Sequence, residues 1–217
     1  MSQVLPSIIH SWKRLKPNTV ILDTETTGID DLAEICEISL VDGNGNVLFD
    51  SVINPLNDIP EKAIAIHGIT NEEAEHAPSF AEIYHKIYNL CHKRTVVTYN
   101  AKFDLRLLDQ SCRAHDMIPV SEWDCEWLCA MESYADFAQV VKVDKYGNKS
   151  FKWHKLADAA KQLGIEVPEN LHRALPDTKL TLAVIKGAYQ TLIEREKAAT
   201  AQEAVTESNP QSFGEIA

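Results

Sequence analysis

Two short runs of β-branched and apolar residues, Thr19-Val20-Ile21-Leu22 and Thr95-Val96-Val97-Thr98-Tyr99, set the centre of this chain. Each is too short for a buried helix and lacks the polar alternation of a surface strand, so each reads as a buried strand. Both stop at polar residues, the first at Asp23-Thr24-Glu25 and the second at Asn100. Between them, Ile35 to Val41 and Val47 to Ile53 flank the turn formers Asp42-Gly43-Asn44-Gly45-Asn46, which predicts a hairpin and hence a meander. Phe80 to His92 has helical spacing in Phe80, Ile83, Tyr84, Ile87 and Tyr88, and Ala101 to His115 reads as a helix that Asn100 would cap. Glu122 to Asp136 reads as a strand turning into a helix, and Val140 to Trp153 as a second hairpin. Helices over Leu156 to Leu163 and Pro176 to Glu194 close the pattern. Strands that alternate with helices after a meander predict an α/β fold.

At 217 residues, 45% of them hydrophobic and 24% charged, the chain is long enough for one domain with a full core. The globular part is placed at 18–195. Residues 1–17 read as an N-terminal extension, and the Ala, Glu, Gln and Ser of 196–217 as a frayed or disordered tail. No run approaches the length of a membrane span, and Met1 to Lys16 lacks the basic start and apolar run of a secretion signal, so the expected place is the cytoplasm. Five cysteines without regular spacing read as reduced thiols, Cys125 and Cys129 included. A formal net charge of −11 opposes a polyanionic partner. Between Ala138 and Lys155, however, five lysines face the single acid Asp144, a local charge of +4. Period two along this hairpin predicts aliphatic and aromatic residues on one face and most charges on the other, with Lys142, Lys149 and Lys152 as candidate contacts to a nucleic-acid strand.

The chemistry sits where acids interrupt apolar patterns. Asp23 and Glu25, two apart at a strand end, point to one side if the extended geometry continues, although acids at a strand end are also common on plain surfaces. Asp104 begins a stripe continued by Leu107, Leu108 and Ser111, and Asp177 one continued by Leu180, Val184 and Ala188. Buried acids are costly unless paired or bound to metal, whereas in a first helical turn a carboxylate is favourable and water can reach it. Proline favours the first helical position, so Pro176 is expected to open the last helix and leave His172 on the loop before it.

Three segments carry a resemblance. Asp23-Thr24-Glu25-Thr26-Thr27-Gly28, Asn100-Ala101-Lys102-Phe103-Asp104 and His172-Arg173-Ala174-Leu175-Pro176-Asp177 resemble, in order, the three motifs of the DnaQ-like (DEDDh) exonucleases of the ribonuclease H-like superfamily. The similarity spans about Val20 to Tyr189, and Ile66-His67-Gly68-Ile69-Thr70 resembles the family's loop near the substrate terminus. Tyr99 departs from the pattern, since many members have histidine before the asparagine. The resemblance implies a five-stranded mixed sheet flanked by helices, here with an extra basic β-hairpin, and a 3′→5′ exonuclease. It also implies that Asp23, Glu25, Asp104 and Asp177 hold two divalent cations, Mg²⁺ with Mn²⁺ able to substitute. Asp23 would bridge the two ions, Asp104 would orient the second partly through water, and His172 would be the general base. Histidine as a side-chain type titrates near neutrality, which suits that role. Thr26, Thr27, His67, Asn100 and Phe103 would meet the terminal nucleotide. The implied partner is a nucleic-acid 3′ end, single-stranded DNA by preference. The motifs do not read the sugar, so RNA ends and very short oligonucleotides stay open as substrates, as do a polymerase or repair partner and the oligomeric state.

Overall fold

In the computed structural model, residues 7–208 are described, with side chains for 7–202. A central sheet of five strands runs in the order β3-β2-β1-β4-β5. β1 (Thr19–Thr26), β2 (Ile35–Asp42) and β3 (Val47–Val52) form the antiparallel meander, and β4 (Thr95–Thr98) and β5 (Glu126–Cys129) add in parallel on the other side of β1. The sheet is therefore mixed, as the resemblance implies.

Alternation along β1 feeds two cores. Val20 and Leu22 join Phe80, Ile83 and Ile87 of α4 (Phe80–Cys91) and Leu107 and Leu108 of α5 (Ala101–Ala114). Ile21 faces the opposite side, where α1 (Ile8–Leu15), α6 (Ala130–Ala138), α7 (Leu156–Gln162) and α8 (Ala174–Ser208) pack. The short helices α2 (Glu61–His67) and α3 (Asn71–Glu75) cover a third, small cluster around Cys36 and Ile69.

Four expectations change. The segment set apart as an extension is partly core: Ile8, Ile9 and Trp12 of α1 are buried, and the Ile8 amide donates to Ser133 Oγ at 3.2 Å. Helix α8 opens at Ala174, two residues before Pro176, because the first turn of a helix has unpaired amides and proline costs nothing there. The same helix runs on through 196–208, across the predicted tail. Alanine, glutamate, glutamine and lysine are good helix formers, and extending a docked helix needs no new nucleus. Residues 209–217 lie outside the described part. The hairpin forms, with β6 (Val141–Val143) paired to β7 (Lys149–Phe151). Its register sets Lys142 opposite Ser150 but Lys149 opposite Val143, so Lys149 shares the aliphatic face instead of lying beside Lys142. Neither face is covered: Val141, Val143 and Phe151 are all exposed.

Candidate active site

β1 pairs with β4 only through Thr19, Val20 and Ile21, so its last residues pass beyond its parallel neighbour. An edge left open where β4 turns into α5 makes a crevice at the strand ends. A cavity of 850 Å³ lies there, lined by residues of β1, α2, α5, α7 and the loop before α8.

Asp23 and Glu25 point to the α8 side, where Asp177 meets them from the first turn of that helix. Ligand oxygens of these three carboxylates lie within 4.8 Å of one another. Asp104 comes from the other face of the sheet, on α5. It is 4% exposed and accepts a hydrogen bond from Thr24 Oγ1 at 3.0 Å. Thr24, between the two acids of β1, alternates toward α5 and so links the two halves of the site.

Every one of these acids is pushed toward its protonated form. Burial raises Asp23 well above the carboxylate range, and the charges of Asp104, Asp177, Glu25 and Glu37 push the same way. Burial, then Asp177 and Glu37, take Glu25 up to about 8. Burial takes Asp104 up to about 7 against the pull of Thr24, and burial also raises Asp177 despite the His172 amide. Asp177 Oδ1 is buried with no hydrogen-bond partner among the described residues. Crowded acids with an orphaned oxygen suit a hard divalent cation, which would replace the missing protons and partners.

His172 sits on the loop before α8, as the sequence predicts, with a left-handed backbone (φ 68°) that a non-glycine residue adopts only at some cost. Its amide donates to Asp177 Oδ2 at 3.3 Å, and its ring is exposed and makes no hydrogen bond among the described residues.

A fifth acid was not foreseen. Glu37 of β2 is cross-strand partner to Glu25 and is buried. It takes a bidentate contact from Arg173, with Nε at 3.0 and 3.1 Å and Nη2 at 2.6 Å, and also accepts from the Ala174 amide at 2.7 Å. Glu37 thus caps the first turn of α8 and ties the His172 loop to the sheet. The signal was present in Ile35-Cys36-Glu37-Ile38, an acid inside an apolar run.

The expected substrate contacts divide. Asn100 stands at the start of α5 but makes no capping hydrogen bond, which leaves its amide free at the cavity, and Phe103 lines the same wall. Three others are already engaged. Thr26 Oγ1 donates to the Gly28 carbonyl at 2.8 Å, and Thr27 Oγ1 accepts from the Glu34 amide at 2.9 Å, so both hydroxyls hold their own loop. His67 is 5% exposed, its Nδ1 accepts from the Ile69 amide at 3.1 Å, and burial lowers its pKa; it is a neutral wall support. Tyr99 turns its hydroxyl inward to the His154 carbonyl at 2.8 Å, which pins the foot of the β6–β7 hairpin beside the cavity. Cys36, Cys91, Cys112, Cys125 and Cys129 are all free thiols.

The RNase T model, described as an exonuclease family, matches residues 20–185. The chain belongs to this exonuclease family. Its relatives include an uncharacterized exonuclease, CP81, of Escherichia phage 186, 37% identical across 80% of this chain and 89% of that protein. A DNA polymerase III subunit epsilon-like protein of Rhodobacter capsulatus is 29% identical over 75% of this chain and 22% of its own length. Among solved structures, E. coli exonuclease I in complex with a dT13 oligonucleotide superposes with a TM-score of 0.62 at 21% identity, over 82% of this chain and 42% of that one. Exonuclease X in complex with 5′ overhanging duplex DNA gives a TM-score of 0.57 at 24% identity, over 80% and 92%. The chain therefore spans less than half of the exonuclease I chain and about a fifth of the epsilon-like protein. Motifs, fold and relatives agree on a DnaQ-like exonuclease of the ribonuclease H-like superfamily, a nuclease by class. No described helix is long and apolar enough to cross a membrane.

Proposed function

We propose that this chain is a metal-dependent 3′→5′ exonuclease that releases nucleoside 5′-monophosphates from the 3′ end of nucleic acid, with single-stranded DNA as the favoured substrate. The observation that carries it is the set of three carboxylates within 4.8 Å, each pushed toward protonation, at the base of an open cavity. Asp23, Glu25 and Asp177 would hold one divalent cation, and Asp23 with Asp104 a second. Such ions, when bound, neutralise the phosphodiester and stabilise the attacking and leaving oxygens.

The chain's own residues supply the rest. His172 carries an unengaged ring at the cavity, where it takes a proton from the attacking water, and the Asp177 contact to its amide fixes the loop. Arg173 has its charge spent on Glu37, so four unpaired carboxylates and not five face the substrate. Asn100 offers an uncommitted amide to the terminal nucleotide, while Phe103 and the exposed Ile29 and Ile66 supply apolar surface for its base. The preference for single strands rests on the fold neighbours solved with single-stranded oligonucleotides, such as exonuclease I with dT13.

A 3′-labelled and a 5′-labelled oligonucleotide digested with Mg²⁺ or Mn²⁺ test this reading. Nucleoside 5′-monophosphates should appear from the 3′ end, and EDTA should stop the reaction. Release of 3′-phosphates, digestion from the 5′ end, or full activity in EDTA would overturn it.

A further inference from the structure

Trp153 follows strand β7, outside its ladder, and remains 49% exposed. Two ammonium groups stand over its ring in cation–π contact, Lys142 Nζ at 5.5 Å and Lys102 Nζ at 5.7 Å from the centroid. Lys102 lies between Asn100 and Phe103, which line the catalytic cavity, and Leu156, three residues beyond the tryptophan, lines it as well. The aromatic ring is therefore tied, through Lys102 and through the chain to Leu156, to residues beside the cavity lining.

Its position is held from below. His154 is buried, its carbonyl accepts from the Tyr99 hydroxyl, and its ring meets Tyr134 edge-on at 5.5 Å between centroids. Its Nδ1 is 3.0 Å from Gln162 Nε2. These contacts anchor the residue beside Trp153 and leave the indole itself facing out.

Most of the surrounding positive charge has no ion-pair partner among the described residues. The carboxylate of Asp144, the one acid of the hairpin, is occupied by the Tyr146 and Asn148 amides and by the Asn148 side chain. No ion pair among the described residues involves Lys142, Lys145, Lys149 or Lys152, and Lys102 meets only Glu132, at 3.5 Å. A half-exposed tryptophan flanked by lysines, in a chain of net charge −11, fits a base with its neighbouring phosphates.

We propose that Trp153, Lys102 and Lys142 form a stacking subsite for one base of a single-stranded nucleic acid, upstream of the nucleotide in the cavity. The inference rests on the reading that a 3′ end occupies that cavity. The base displaces an ammonium group from the indole face it stacks on, and the two ammonium groups swing aside to take the adjoining phosphates. Tyr99 acts as a positioning residue for the subsite, through the carbonyl of His154.

The test compares two substrates on the full chain with Mg²⁺: the p-nitrophenyl ester of thymidine 5′-monophosphate, which has no upstream base, and an oligothymidylate carrying a single abasic site at successive positions from its 3′ end. Trp153→Ala should raise KM for the oligomer by about 5-fold to 150-fold more than it changes turnover of the ester, the range that one base-aromatic stack supplies. One abasic position should cost the wild type a similar factor and cost Trp153→Ala nothing further. Trp153→Phe, which keeps an aromatic face and guards against a misfolded alanine variant, should recover most of the loss. Equal losses on both substrates, or abasic penalties that survive in Trp153→Ala, would overturn the subsite and assign Trp153 to the hairpin's structure or to a protein partner. If the wild type hydrolyses neither substrate, the exonuclease reading fails and the subsite with it.

Discussion

The carboxylate cavity and the β6–β7 hairpin collect charge of opposite sign in opposite surroundings. Asp104 is 4% exposed, and ligand oxygens of the half-buried Asp23, Glu25 and Asp177 lie within 4.8 Å of one another, so their repulsion is screened less than between surface charges. Every residue of β6 and β7 is exposed, and water screens its lysines. The acids occupy places that burial makes costly, and they are fixed there by β1, α5 and α8. The lysines occupy places that cost almost nothing and are fixed only at the hairpin's foot. Crowding suits a group that must hold a cation in one geometry, whereas an exposed ribbon suits a group that meets a long polyanion without selecting its sequence. The first region should respond to chelators and pH, and the second to salt.

The largest expected effect lies in the cavity. Asp177→Ala should abolish turnover, as should Asp23→Ala and Asp104→Ala, while circular dichroism shows each protein folded. A fully active Asp177→Ala protein would mean that the cavity is not the active site.

A smaller loss, about 10²–10⁴-fold, is expected for His172→Ala, because the role proposed for the ring is that of a base and not of a ligand. Isothermal titration should find its Mn²⁺ affinity retained. Affinity lost as completely as in Asp23→Ala would make His172 part of the metal site.

For the hairpin the measure is salt. Each neutralised phosphate contributes about −0.7 to the slope of log affinity against log salt for single strands, so Lys142→Gln with Lys152→Gln should flatten it by up to about 1.4 units. Adding Lys149→Gln should bring little more, since its register places it on the other face. Binding with Ca²⁺ in place of Mg²⁺ limits cleavage during the series. An unchanged slope in a folded double variant would mean that the strand leaves the cavity by another path.

The smallest effect is thermal. Acids whose folded pKa lies above the unfolded value bind more protons folded than unfolded, so this contribution to stability falls as pH rises. For Glu25, pushed up to about 8, the window runs from its ordinary range near 4.5 to about pH 8. In EDTA, Glu25→Gln should melt above the wild type at pH 8 and converge with it near pH 4.5. The gain should be about 2–4 °C for each kcal/mol of repulsion removed. Mg²⁺ should abolish the advantage. A variant that melts lower throughout the range would show that Glu25 stabilises the apo fold.

Much of both regions was legible in the sequence, for reasons that differ. β1 and β4 declare themselves by unbroken β-branched runs, and Asp23, Glu25, Asp104 and Asp177 by interrupting apolar patterns. The hairpin declares itself by alternation and by Tyr146-Gly147-Asn148. What was hidden depends on partners far along the chain. Glu37 is explained by Arg173 and the Ala174 amide, and the burial of His67 by the β2 residue Cys36, 3.7 Å from its Nε2. The hydroxyls of Thr26 and Thr27 could serve a substrate or their own loop, and sequence does not say which. Helix α1 did carry a signal, since Ile8, Ile9, Trp12 and Leu15 share one face, but a stretch so short is easily passed over. Composition misled at 196–208, where residues common in disordered tails are equally common in helices.

The acids of the cavity are brought together from both faces of the sheet and from distant parts of the chain, with Asp177 arriving on the last helix. During synthesis, β1 and its two acids leave the ribosome long before α8 does, and domains acquire structure as units. A nascent or truncated chain that holds Asp23, Glu25 and Asp104 still lacks both Asp177 and His172. On the proposed reading the order of the residues works as an interlock: hydrolytic capacity would arrive only with the docking of α8, and a half-made protein would not attack the nucleic acid around it.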